Sequence, residues 1–182
     1  SNTSGTGNTA LGYAAGEDIT TAVQNVLVGY HAGTNLTTGN NNVFIGYGAG
    51  DACTTGTPNT AVGVGAYGSN TGGAENTAIG NSTLALSQSD SFYNTAIGST
   101  AGYDVTTGDY NTFLGRYAGT TVTTGSFGIM IGPSSRPSAA NADSETVIGY
   151  NVTGQGNSTF TFGSGASETT ATFGGTTWSA PS

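Results

Sequence analysis

NTAIGSTAGYDVTTGDY (Asn94–Tyr110) runs directly into NTFLGRYAGTTVTTGSF (Asn111–Phe127), and the two stretches share one outline. Each opens with Asn, places an aliphatic residue three positions later and Gly after that, then spells Ala-Gly and Thr-Thr-Gly in fixed places. Working outward, the Gly recurs as Gly12, Gly29, Gly46, Gly63, Gly80, Gly98, Gly115, Gly132 and Gly149, each step being 17 residues except 18 from Gly80 to Gly98. The opening Asn keeps phase as Asn8, Asn25, Asn42, Asn59, Asn76, Asn94 and Asn111. A fixed period is the mark of a solenoid. Seventeen residues are too few for a helix pair, and Gly and Thr at this frequency oppose helix. The expectation is an all-β parallel β-solenoid (β-roll) of about nine 17-residue coils over residues 1–163, each coil holding two short strands and two turns. A β-rich cap or junction would fill 164–182.

Columns of the repeat predict side-chain direction, because strand residues alternate faces. The aliphatic column Leu11, Val28, Ile45, Val62, Ile79, Ile97, Leu114, Ile131 and Ile148 is assigned to the coil interior. It would meet Ile19, Leu36, Cys53, Val105 and Val122 from the opposite side, with Ala15, Ala32, Ala49, Ala66, Ala101 and Ala118 between. Gly at the strand end and in Thr-Thr-Gly would take positive φ. The Asn column would form a ladder of side-chain hydrogen bonds at about 4.8 Å spacing. The preceding column, Ala10, Leu27, Phe44, Ala61, Ala78, Ala96, Phe113, Met130 and Val147, is also apolar throughout. Assigned to the outside, it implies burial against other copies, and a closed homotrimer is expected. Phe44→Asp or Phe113→Asp would then break the trimer.

The Asn-x-aliphatic-x-aliphatic-Gly phrase in NTAIG and NVFIG resembles the head region of trimeric autotransporter adhesins, which are left-handed parallel β-rolls that trimerise through that strand. The coil departs from those heads in its longer Thr-Thr-Gly arm. Over roughly residues 5–163 the chain resembles more closely the repetitive shafts of tailed-phage fibres. The ending TTATFGGTTWSAPS is similar to the junction ahead of the self-cleaving intramolecular chaperone of endosialidase-type phage fibres. That resemblance implies a cut after Ser182, whereas a segment boundary falling on Ser by coincidence is the alternative. The opening SNTSG, without Met, reads as part of something longer. Together the resemblances imply an extracellular, virion or cell-surface fibre segment serving as rigid spacer and receptor binder, joined to adjacent fibre segments. Open solenoid ends would be covered by the preceding segment and by Phe160, Phe162, Phe173 and Trp178. The alternative is a bacterial adhesin head.

Charge excludes other classes. With Lys+Arg 2 against Asp+Glu 10 and a net charge of −8, the chain lacks the clustered cations that nucleic acid or an anionic membrane surface requires. No apolar run approaches a membrane span. One imidazole, His31, supplies no Ser-His-Asp set and reads as a solvated loop residue. The acids Glu17, Asp18, Asp51, Glu75, Asp90, Asp104, Asp109, Asp143, Glu145 and Glu168 read as a solubilising surface. Glu17 and Asp51 share a column two coils apart, too far to chelate one ion. No enzyme activity, metal or cofactor is expected, although a polysaccharide depolymerase stays open as a less favoured reading. Lone Cys53 reads as a small buried hydrophobe. Two aromatic columns, Tyr13, Tyr30 and Tyr47, then Tyr93, Tyr110 and Phe127, read as stabilising ladders or as glycan-contact strips. Thr pairs such as Thr37–Thr38 raise an ice-binding array as a further, weaker alternative. The four Asn-x-Ser/Thr sequons are those expected in so Asn- and Thr-rich a chain.

Overall fold

The computed structural model describes residues 4–88, 91–165, 167–172 and 178–179. Nine three- to five-residue strands, β1 (Thr9–Leu11), β2 (Val26–Val28), β3 (Val43–Ile45), β4 (Thr60–Val62), β5 (Thr77–Ile79), β6 (Thr95–Ile97), β7 (Thr112–Leu114), β8 (Ile129–Ile131) and β9 (Thr146–Tyr150), stack in parallel in sequence order. The register repeats the period, with Ala10 against Leu27, Leu27 against Phe44 and Phe44 against Ala61. The chain is therefore an all-β parallel solenoid of about nine coils. β10 (Thr159–Ser164) continues the parallel ladder, and β11 (Ser167–Thr172) and β12 (Trp178–Ser179) turn it antiparallel.

Each coil holds one strand, not the two expected. The rest is turn and bend, tied to the next coil by converging backbone bonds: Thr20, Thr21 and Ala22 all donate to the Thr37 carbonyl at 3.1–3.2 Å. The Thr20 hydroxyl donates there too, at 3.0 Å, and Thr37 and Thr106 repeat the bond to Thr54 and Thr123. The first hydroxyl of each of these pairs is thus spent inside the fold, which weighs against an ice-binding array.

Glycine is required for two different reasons. Gly12 lies at φ 135, and a Cβ there would sit 2.3 Å from the Gly29 carbonyl oxygen of the next coil. Gly39 of Thr-Thr-Gly has no positive φ, contrary to expectation; a Cβ would lie 2.5 Å from the Gly56 oxygen, so close packing alone excludes a side chain.

The strand faces are inverted relative to the sequence reading. Leu27, Phe44, Ala61, Ala78, Ala96, Phe113, Met130 and Val147 are all fully buried inside their own coils, while Ala10, in the first coil, is exposed. Leu11, Ile45, Ile79, Ile97, Leu114 and Ile148 project outward, at 36–67% exposure. The cause is parity. The Asn side chains point inward, and Asn42, for example, is fully buried. Two residues on, the strand faces inward again. Ile19, Leu36, Cys53, Val105 and Val122 close the core from the far side as expected.

The Asn ladder is continuous. Each Asn Oδ1 accepts the backbone N–H and the Nδ2 of the next Asn, as from Asn42 to Asn25 at 2.8 and 3.1 Å, and Asn42 Nδ2 also donates to the Gly56 carbonyl at 2.8 Å. The ladder ends at Gly128, whose N–H donates to Asn111 Oδ1 at 2.8 Å. In the next coil the Asn position is taken by Glu145. Its carboxylate is fully buried and accepts the N–H groups of Gly156 at 2.6 Å and Ser138 at 2.8 Å. This acid belongs to the core and not to the solubilising surface.

Candidate functional surface

The strands present one outward face, built from their first and third residues. The third column is aliphatic in every coil; the first is Thr in six coils and Val26, Val43 and Ile129 in the others. At the strand-exit rim, Tyr13, Tyr30 and Tyr47 stack with ring centroids 5.2 and 5.1 Å apart and planes within 17°. At the strand-entry rim, Tyr93, Tyr110 and Phe127 stack at 4.6 and 5.2 Å. Both columns are exposed, Tyr13 by 71% and Phe127 by 58%. They form ladders, and their outer ring edges are free for contact.

The entry ladder is held in a costly conformation. Tyr93, Tyr110 and Phe127 have φ of 57–60°, where bulky side chains are rare. Gly7 and Asn41 fill the same corner in earlier coils at lower strain. Stacking contributes about 0.5–1.5 kcal/mol per pair and offsets part of that cost. The charge of Glu75, one coil earlier in the column, raises the Tyr93 phenol above its ordinary value, with Tyr110 the next cause.

His31 is not simply solvated: its Nδ1 lies 3.0 Å from the Thr34 hydroxyl and its ring 4.3 Å from that of Tyr30. Asp51 is half-buried, and desolvation raises its carboxyl above the usual range against opposing backbone hydrogen bonds. Cys53 is fully buried, and burial pushes its thiol up to about 11. Among the described residues no cluster of three His, Cys, Asp or Glu could hold a metal ion, and no helix is long and apolar enough to cross a membrane. Phe160 and Phe162 lie on β10 with rings 5.6 Å apart. Ser182, Asp90, Phe173 and the Trp178 side chain lie outside the described residues.

One feature escaped the sequence reading. A cavity of about 260 Å³ opens beside the strand-exit corner of the last coils, lined by Tyr117, Thr120, Thr121, Ser134, Arg136 and Asn151. Its signal in the sequence is Gly132-Pro133-Ser134-Ser135-Arg136, where the first three coils spell Gly-Tyr-x-Ala-Gly and the two preceding coils still end on Ala-Gly. Arg136 stands where Gly50 and Gly119 stand in their coils. Arg136 Nη2 donates to Asn151 Oδ1, while its solvent-inaccessible Nε has no hydrogen-bond partner. The other cation, Arg116, lies over the Tyr117 ring at 4.2 Å and donates to its hydroxyl at 2.8 Å.

No protein-family model, curated protein or solved structure matches the chain.

Proposed function

We propose that this chain is a segment of an extracellular homotrimeric fibre, of the kind found in phage tails, acting as a rigid spacer and as a binder of host-surface glycans. The observation that carries the reading is the outward face of β1–β9, aliphatic in one column of every coil while the other side of the same strands is sealed by the coil's own core. A continuous apolar strip of this length marks an interface. With the strand faces corrected, the strip that would bury against neighbouring copies is Leu11, Val28, Ile45, Val62, Ile79, Ile97, Leu114, Ile131 and Ile148.

The two rims support a second copy of this chain as the occupant. Coil by coil, the entry and exit residues are Gly7 and Tyr13, Gln24 and Tyr30, Asn41 and Tyr47, Pro58 and Val64, Glu75 and Asn81, Tyr93 and Ser99, Tyr110 and Arg116, Phe127 and Pro133, Ser144 and Tyr150. No coil has aromatic residues at both. The two positions are roughly 15–20 Å apart within one chain, so contact inside a chain does not explain the complementarity. Parallel copies packed in register bring the entry rim of one against the exit rim of the next, and a ring of such contacts closes. The fibre setting and the number three rest on the resemblance to phage shafts and adhesin heads.

Sedimentation velocity on the purified chain tests the reading, with a single trimeric species expected. Ile79→Asp with Ile97→Asp should give monomers that keep the β-rich circular dichroism spectrum. A monomeric parent chain overturns the proposal.

A further inference from the structure

We infer that the cavity beside Arg136 is a binding site for a carboxylate-bearing sugar, a uronate unit of an acidic glycan. The chain carries ten acids and two bases. Yet among the described residues neither base is within ion-pair distance of a carboxylate, and Arg136 meets only the neutral amide of Asn151. A guanidinium satisfied in this way keeps its charge for something else. Its Nε is buried and unpaired, and a small swing of the terminal torsions would present Nε and one Nη side by side to the two oxygens of a carboxylate, the fork that Arg forms best.

The backbone beneath that fork is fixed. Arg136 N donates to the Val152 carbonyl at 2.9 Å, and Gly154 N donates to the Arg136 carbonyl at 2.8 Å. Around it, Thr120, Thr121 and Ser134 offer hydroxyls, and Tyr117, with Arg116 over its ring, offers an aromatic edge under positive potential. A carboxylate beside hydroxyl and aromatic partners is the chemistry of an acidic sugar. The volume of about 260 Å³ accommodates one such unit. Three of its lining residues, Tyr117, Ser134 and Asn151, directly follow Arg116, Pro133 and Tyr150 of the strand-exit rim. The inference rests on the surface-binding part of the proposed function and not on self-association.

The test is a titration of the intact chain with sodium glucuronate, followed by NMR chemical-shift changes, beside glucose and acetate at equal concentration and ionic strength. Glucuronate should saturate with a dissociation constant on the order of 1 mM, as one small ligand held by one charged contact does. Arg136→Gln should weaken it at least tenfold, and Thr121→Val severalfold. Unchanged melting temperatures show that both variants are folded. No saturable shift with glucuronate, equal binding of glucose, or full retention of binding by folded Arg136→Gln each overturns the inference. Acetate binding as tightly as glucuronate overturns the sugar and leaves a bare anion site. Sedimentation of the same samples reports the assembly separately, so failure here and failure of the fibre reading are told apart.

Discussion

Asn59 is held on both sides along the solenoid: its N–H and Nδ2 donate to Asn42 Oδ1 at 2.8 and 3.3 Å, its Nδ2 donates to the Gly73 carbonyl at 2.8 Å, and its own Oδ1 accepts from Asn76. Truncation would orphan buried groups on both neighbouring coils, each at a cost of about 1–3 kcal/mol. Asn59→Ala should therefore lose about 3 kcal/mol or more in urea unfolding, and Asn59→Asp at least as much, since a second acceptor would face the Gly73 carbonyl. Cys53 gives a pH signature. Its thiol titrates at about 11 in the fold against 9.0 for the free group, with burial as the main cause. Because the folded value is raised, the contribution to stability is complete below pH 9 and is lost as pH climbs towards 11. A melting-temperature decline that begins near pH 9 is expected, and in Cys53→Ala the onset should move up to near pH 10, where buried Tyr67, also raised by desolvation, starts to cost stability. The thiol should also resist alkylation at pH 8 until the chain is unfolded.

In several coils, though not in those of Ala96 with Gly102 or Met130 with Arg136, bulk at the strand centre trades against bulk at the corner six residues on. Phe44 and Phe113 pair with Gly50 and Gly119, where a Cβ would lie 2.6 and 2.2 Å from the ring, whereas Ala61 and Ala78 pair with buried Tyr67 and Leu84. Phe44→Ala should cost about 3–5 kcal/mol. Gly50→Tyr alone should also destabilise, because its ring would enter the volume held by Phe44. The double variant copies the Ala61–Tyr67 coil and should recover at least about 1 kcal/mol relative to the sum, as a double-mutant cycle would report. This trade also shows why the sequence reading inverts the two faces of the strand. The period is plain in the sequence, but apolar residues fill two adjacent strand columns, and apolarity cannot rank them. Asn parity and the Phe–Gly, Ala–Tyr compensation carry the missing information. Phe44→Asp would thus break a coil from within before it reached any interface.

For the whole molecule, the solenoid was legible because every coil restates it, and the cavity was not, because it is assembled from corners of successive coils at the place where the restatement fails. The same modularity yields a test of the architecture. Each coil contacts chiefly its neighbours, so stability should approximate a sum of coil and interface contributions. Removing residues 26–42 joins Asn25 to Val43 and keeps the phase of every column. Leu27, which a Cβ on Gly16 would approach to 2.7 Å, leaves, and Phe44 is placed beside Gly16 as it now lies beside Gly33. Tyr47 moves onto Tyr13, and the Asn ladder closes from Asn25 to Asn59. This shortened chain should fold cooperatively, with the parent β spectrum and a urea m-value lower by about a tenth, in proportion to surface lost. Removing only residues 26–33 shifts the columns of one coil against its neighbours, turns core residues outward and should abolish the cooperative transition. If both deletions melt alike, the coils are not interchangeable units, and the register that aligns both rims along the rod has no structural basis.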